Sequence, residues 1–151
     1  MPDALLVIDV QNGFINPFTK HVPDRISRLI ERERHKTVLF SRFVNIEGSP
    51  FRRMLDWDAC AEPPDTEIVP ASAGFAAEDQ INSKPGYAGL PDNLAGRLQR
   101  DGIERIAVVG IDTDKYVLKV ALGLFDLNTG AGHLRDAGFG GGHMAASPDE
   151  Q

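Results

Sequence analysis

The chain has 151 residues, of which 42% are hydrophobic and 25% are charged, as in an ordinary globular protein. The length predicts one domain that is large enough to bury a core. The formal net charge of −6 argues against a nucleic-acid or anionic-membrane partner, because either would require a basic surface.

The sequence also bears on location. No apolar run approaches the ~20 residues that a membrane-spanning helix needs, and Met1-Pro2-Asp3 lacks the basic segment of a signal peptide. The single cysteine, Cys60, excludes a disulfide within the chain and favours a reducing compartment. We therefore expect a cytoplasmic protein.

Apolar runs and an amphipathic segment define the first half. Ala4 to Val10 and Thr37 to Val44 are nearly continuous apolar runs, typical of strands buried on both faces of a parallel sheet. Between them, apolar residues recur at helical spacing from Val22 to Ile30. Gly48 to Asp58 predicts a loop with a short helix, and Glu78 to Asn82 is compatible with a short strand.

The second half repeats the alternation of helix and strand. Apolar residues spaced by four from Leu90 to Leu98 predict an amphipathic helix that stops at Asp101-Gly102. Arg105 to Ile111 is the strongest predicted strand after the first. This order predicts an α/β fold, a doubly wound, mostly parallel sheet with helices on both faces.

The segment from Asp114 to Leu127 is apolar on nearly every side. Its helical spacing gives one stripe of Val117, Val120, Ala121 and Leu124 and another of Leu118, Leu122 and Phe125. Burying both stripes requires more cover than one sheet supplies. Two explanations stay open, which are deep burial within the domain and the subunit interface of a homo-oligomer.

The end of the chain differs in kind. Gly132 to Ala137 is a thin strand pattern, and residues 137–151 combine a glycine run with small and acidic residues. A segment with so few apolar residues cannot gain enough free energy from burial to offset the conformational entropy that it would lose on ordering. We therefore assign one domain to residues 1–136 and a flexible, glycine-rich tail to residues 137–151.

The predicted sheet brings candidate chemical groups to one edge. Ligands bind outside the carboxyl ends of parallel strands, which places Asp9 and the Gly110–Tyr116 turn at the same rim. Asp9 has two interpretations, a cap for the amides of Asn12 or Gly13 and a catalytic acid or base with a raised pKa. Lys84, considered alone, is an ordinary solvated lysine before a turn.

Metal and cofactor signals are weak. The histidines are scattered without the spacing of a ligand set; they are His21, His35, His133 and His143. The glycine run at 140–142 lacks the Lys-Ser/Thr of a phosphate loop. We predict no metal and no cofactor.

Three segments together resemble the isochorismatase-like cysteine hydrolases. Asp9-x-Gln11-x-x-Phe14 is similar to the family's opening motif, and Lys84 followed by Tyr87 is similar to its lysine segment. The Gly110–Tyr116 turn is similar to its nucleophile turn, Gly-x-x-Thr-Asp-x-Cys. The resemblance runs from about Ala4 to Asp126.

The resemblance implies roles for these residues. Asp9 is the general acid or base, Lys84 supports it, and the substrate-binding residues are Gln11, Phe14, Asp112 and Thr113. Tyr116 occupies the position of the nucleophilic cysteine, and a phenol with a pKa of about 10 is a poor nucleophile. Cys60 has no strand before it and is not expected to replace that nucleophile. The zinc-binding histidines of the family's nicotinamidase branch have no counterpart between Asn45 and Trp57, and the family's final helix has none after residue 137.

The resemblance implies a hydrolase that acts on a small molecule. The bond that such a hydrolase cleaves is either the C–N bond of an amide or the vinyl-ether bond of an isochorismate-type substrate. The vinyl-ether route works without the cysteine, because the aspartate protonates the substrate and water completes the cleavage. The alternative is a catalytically silent family member that serves as a binding module or partner subunit.

Overall fold

The computed structural model describes residues 3–84, 86, 94–111, 116–126 and 135–136. Its strands are β1 (Ala4–Ile8), β2 (Thr37–Phe43), β3 (Ile81–Lys84), β4 (Ile106–Gly110) and β5 (Arg135–Asp136). They form one sheet in the order β3-β2-β1-β4-β5, and each neighbouring pair is parallel. The predicted α/β class with a parallel sheet is confirmed.

Helices cover both faces of the sheet. They are α1 (Val22–Arg32), α2 (Pro50–Leu55), α3 (Pro70–Ala73), α4 (Leu94–Arg100) and α5 (Leu118–Asp126). One core cluster joins Leu5 and Val7 of β1 to the apolar face of α1, and the other joins Leu6 and Ile8 to α4 and α5. Alternate residues of β1 therefore enter opposite cores, as expected for a strand buried on both faces.

The strand order sets the position of the site. β1 is central and pairs with β2 on one side and with β4 on the other. The direction of winding reverses at β1, and open α/β sheets bind ligands beyond the carboxyl ends of the strands at such a point. The residues that follow β1, β2, β3 and β4 are therefore the candidates for a site.

The start of β3 differs from the prediction. The strand begins at Ile81, because Glu78–Gln80 form a single 3-10 turn before it. Ile68, just before α3, makes an isolated antiparallel bridge with Gln11. The predicted stop at Gly102 is confirmed, since that glycine has the left-handed φ of 61° that favours glycine after a helix.

The apolar helix after Tyr116 is buried on one stripe. Val117, Val120 and Leu124 lie in the core, whereas Leu118 is 51% exposed and Leu122 is 52% exposed. The expectation of burial on both stripes within the domain is therefore wrong for these two leucines. Oligomerisation, which would cover them, stays a prediction.

Two further predictions concern the C-terminal part of the chain, of which the structure describes little. Of the last predicted strand, Arg135–Asp136 pairs with β4, and the predicted tail at residues 137–151 lies outside the described residues. Across the ranges that are described, no helix is both long and apolar enough to cross a bilayer.

Candidate active site

Asp9 follows β1 at the rim and is completely buried. Its φ of 50° is left-handed, a conformation that aspartate tolerates better than most residues. Its carboxylate Oδ1 accepts a hydrogen bond of 2.5 Å from the Ser41 hydroxyl. The amides of Asn12 and Gly13 donate instead to the carbonyls of Glu67 and Asp65, so the capping interpretation of Asp9 is wrong.

Lys84 ends β3 and points to the same place. Its Nζ lies 3.2 Å from Oδ2 of Asp9, and the residue is 4% exposed. The interpretation of Lys84 as a solvated surface lysine is therefore wrong. The parallel register of β2 with β3 brings it there, because Phe43 is paired with Lys84 at the same rim.

The buried pair perturbs the ionisation of Asp9. Burial raises the pKa of Asp9 above its usual value, and the Lys84 charge and the Ser41 hydrogen bond only partly oppose this effect. A carboxyl group with a raised pKa is able to hold a proton at a pH where an exposed one has lost it. This is the property that a general acid requires.

Tyr116, two residues before the start of α5, lies against the pair of Asp9 and Lys84. Its ring centroid is 4.7 Å from Nζ of Lys84, which is a cation–π distance. The ring is 1% exposed and lies 6.0 Å from the Phe14 ring and 6.1 Å from the Phe43 ring, between centroids. The side chain thus fills the space beside Lys84 and closes it from solvent.

Phe14 belongs to an aromatic cluster beside this ring. Phe14 and Phe43 both stack on Trp57, with centroid distances of 6.1 Å and 5.9 Å. Such contacts stabilise by about 0.5–1.5 kcal/mol each beyond area burial. The cluster joins the loops after β1 and β2 and forms an apolar wall next to the ion pair.

Gln11 is buried but its amide is fully engaged by the backbone. Nε2 donates to the carbonyls of Phe43 at 2.9 Å and Thr66 at 3.0 Å, and Oε1 accepts from the Phe43 amide at 2.7 Å. The side chain therefore ties the loop after β1 to the end of β2. It shapes the rim through its backbone partners.

Cys60 is buried behind Gly13, in the loop after α2. Burial and the nearby carboxylates of Asp65 and Asp9 raise the pKa of its thiol to about 12. Its Sγ would lie 2.3 Å from a Cβ built on Gly13. Cys60 is therefore a protonated thiol at neutral pH. Because only the thiolate is a strong nucleophile, Cys60 does not supply one.

The loop after β2 bears on zinc binding. Asn45 donates to the carbonyls of Trp57 and Ala59 at 2.8 and 2.9 Å and accepts from the Ser49 hydroxyl at 2.5 Å. Its amide is committed to loop closure, so this loop does not fit a zinc ion. Within the described residues, no cluster of three histidine, cysteine or acidic side chains is placed to hold a metal.

Ser41 is the site residue that the motifs did not single out. The sequence signal was a small polar residue inside the apolar run of β2, and the structure pairs Ser41 with Ile8, next to Asp9. The predicted Asp112 and Thr113 lie outside the described residues. The structure brings together Asp9, Lys84, Tyr116 and Phe14, with Gln11 holding the rim.

An open groove elsewhere on the surface contains none of these residues. It runs along α1 and is lined by Arg25, Arg28, Leu29, Glu31 and Arg32. The ion pair itself is closed, since Asp9, Lys84 and Tyr116 are all less than 5% exposed.

Comparison with known proteins identifies the class. The family model of the Isochorismatase domain matches residues 3–150. The chain therefore belongs to the isochorismatase family, and its architecture is the α/β fold described above. No curated protein matches the sequence.

Solved structures share this fold. N-carbamoylsarcosine amidase from Thermoplasma acidophilum has a TM-score of 0.70 and 20% identity, over 92% of this chain and 88% of that chain. The pyrazinamidase of Pyrococcus horikoshii, determined in complex with zinc, has a TM-score of 0.65 and 23% identity, over 86% of this chain and 81% of that chain. An isochorismatase family protein from Desulfovibrio vulgaris has a TM-score of 0.66 and 21% identity, over 92% of this chain and 86% of that chain. At these identities the likeness concerns the fold alone.

Proposed function

We propose that the protein is a small-molecule hydrolase in which Asp9 is the general acid and the cysteine nucleophile of the family is absent. The observation that carries the proposal is the buried pair of Asp9 and Lys84, 3.2 Å apart. Burial raises the pKa of Asp9, and positioned acids with such pKa values contribute about 10²–10⁴-fold to a rate. The favoured substrate class is a vinyl ether of the isochorismate type.

The proposed reaction requires one proton and one water. Asp9 gives its proton to the terminal carbon of the vinyl ether, and the double-bond electrons form the new C–H bond. The resulting oxocarbenium ion takes up water, which returns a proton to the Asp9 carboxylate. The hemiketal then breaks its C–O bond while its hydroxyl proton moves to the leaving oxygen, which releases an alcohol and a ketone, and no covalent enzyme intermediate is needed.

Lys84 has a place in this reaction. Apart from Asp9, no hydrogen-bond acceptor lies within reach of its Nζ among the described residues. An ammonium group has three N–H donors. We propose that the remaining donors bind an anionic group of the substrate and that the positive charge stabilises the Asp9 carboxylate after proton transfer.

We propose that Tyr116 stands where the family places its cysteine and that its ring covers the site. An amide-hydrolysing route through a thiolate would then be lost, while the acid route needs only displacement of the ring. Phe14 would supply an apolar wall for the substrate and Gln11 would position that wall through the backbone. Asp112 and Thr113 stay proposals from the family motif.

The second candidate is a catalytically silent family member. The observation that favours it is the buried Tyr116 ring, 1% exposed, which occupies the space beside Lys84. In that case the chain would act as a binding module or as a partner subunit. The exposed Leu118 and Leu122 would be available for the interface. The net charge of −6 continues to predict no nucleic-acid partner.

One panel of variants distinguishes the candidates. Wild type, Asp9→Asn and Tyr116→Cys are assayed against a small vinyl ether and a small primary amide. Vinyl-ether hydrolysis in wild type that Asp9→Asn abolishes supports the acid route. Amide hydrolysis that appears only in Tyr116→Cys supports a silent chain descended from a cysteine hydrolase.

A further inference from the structure

The Ser41 hydroxyl contacts two different parts of Asp9. Its proton is donated to the carboxylate Oδ1 at 2.5 Å, and its oxygen accepts the Asp9 amide N–H at 3.2 Å. Ser41 is 2% exposed, so water does not compete for either bond. One side chain thus holds both the backbone and the carboxylate of the same residue.

The backbone contact matters because Asp9 has an uncommon conformation. Its φ of 50° is sparsely populated for residues other than glycine, and such conformations persist only where the surroundings determine them. The Asp9 amide also points to the Ser41 carbonyl at 3.3 Å. The end of β2 therefore fixes the direction in which the chain leaves β1.

The carboxylate contact makes the two oxygens of Asp9 inequivalent. A serine hydroxyl has a single proton to donate, and Oδ1 receives it. Oδ2 has Lys84 at 3.2 Å and no other hydrogen-bond partner among the residues that are described. The oxygen that is able to exchange a proton with a ligand is therefore Oδ2.

We propose that Ser41 is a positioning residue for the Asp9 acid, which it holds so that Oδ2 delivers the proton beside Lys84. This inference rests on the proposed function of Asp9. Ser41 itself does not touch the reacting atoms. The titratable groups that face Asp9 are Lys84 from β3 and Cys60 from the loop after α2, with the Tyr116 ring against Lys84.

The test compares Ser41→Ala with Ser41→Thr, which retains the hydroxyl. The matched control is Ser83→Ala, which removes an exposed hydroxyl that accepts from Arg42 on the same sheet. The carboxyl carbon of Asp9 is titrated by ¹³C NMR, and kcat for vinyl-ether hydrolysis is measured against pH. Ser41→Cys, a near-isosteric weak donor, gives the same comparison if Ser41→Ala does not fold.

Loss of the hydroxyl removes a hydrogen bond that favours the charged carboxylate, so the pKa of Asp9 rises in Ser41→Ala. The alkaline limb of the kcat profile then moves to higher pH. The maximal kcat falls by up to roughly 100-fold, because small misplacements of a catalytic group have effects of that order. Ser41→Thr and Ser83→Ala retain the wild-type profile.

Two other results are informative. An unchanged Asp9 titration and an unchanged limb in folded Ser41→Ala would overturn the positioning role. If the Asp9 titration shifts in Ser41→Ala but wild type shows no turnover, the proposed function is overturned. The same result would still support the hydrogen bond by which Ser41 positions the Asp9 carboxylate. The NMR titration thus separates the two failures.

Discussion

Replacing Lys84 with methionine should destabilise the protein in a pH-dependent way. The charges of Asp9 and Lys84 lie 3.2 Å apart, with side chains 0% and 3% exposed. At an effective dielectric constant of about 20, the attraction over that distance is about 5 kcal/mol. Removing one partner of a buried pair typically destabilises by about 3–5 kcal/mol, because the other charge is left without compensation.

The pH dependence follows from the pKa of Asp9. Burial already raises it, and loss of Lys84 raises it further, so the folded state of the variant binds a proton that the unfolded state has lost. Stability then falls as pH rises, by about 1.4 kcal/mol per pH unit up to the folded pKa. The loss in Lys84→Met should therefore be smaller at pH 5 than at pH 8.

Urea unfolding at pH 5 and pH 8 measures both quantities. The control is Lys36→Met, because Lys36 also pairs with an aspartate, Asp3, but its side chain is 67% exposed and exposed pairs contribute little. Asp9→Asn combined with Lys84→Met removes both charges and should recover much of the loss. A loss in Lys84→Met that is the same at both pH values, or no loss at pH 8, would refute the reasoning.

Three further predictions concern stability and are read from urea midpoints. Gly13→Ala should destabilise by about 1–3 kcal/mol, because its Cβ would lie 2.3 Å from the Cys60 sulfur. Cys60→Ala in that background should restore part of the loss, and equal loss with or without the sulfur would contradict this. Gly110→Ala should also destabilise strongly, since Gly110 has a φ of 155° and its Cβ would lie 2.3 Å from a β1 carbonyl oxygen. Gly74→Ala, where nothing lies within 4 Å, is its control, and a similar midpoint for both would count against the close approach of β4 to β1. For Asp3, burial acts to raise the pKa, but backbone N–H donors and nearby cations hold the pKa below its usual value. The stability that Asp3 contributes is therefore present above a pH of about 3.9 and disappears as pH falls through the lower folded pKa. Asp3→Asn should accordingly lower the midpoint more at pH 7 than at pH 2, and an equal effect at both would contradict the assignment.

The sheet was largely predictable because its strands are local apolar runs. Ala4 to Val10 and Arg105 to Ile111 predicted β1 and β4 nearly to the residue, since a strand buried on both faces needs a continuous apolar sequence. The burial of Lys84 was not predictable from its neighbours. It depends on the parallel pairing of β3 with β2, which joins residues about forty positions apart.

The site was only partly predictable, because several of its contacts join residues that are far apart in the sequence. Asp9 and Lys84 were found through a family motif, and the physical argument alone left a cap and a surface lysine as alternatives. The roles of Gln11 and Ser41 depend on hydrogen bonds to residues 32 positions away or more. Such long-range contacts leave no periodic signal in the sequence, although a lone serine within an apolar strand was a hint.

The central claim is that Asp9 acts as an acid without a cysteine nucleophile. Product formation from a vinyl ether by wild type and by Asp9→Asn, with folding of both verified by circular dichroism, tests it most directly. The account predicts turnover in wild type and a loss of about 10²–10⁴-fold in Asp9→Asn. Equal turnover in the two proteins, or turnover that appears only when Tyr116 is replaced by cysteine, would contradict it.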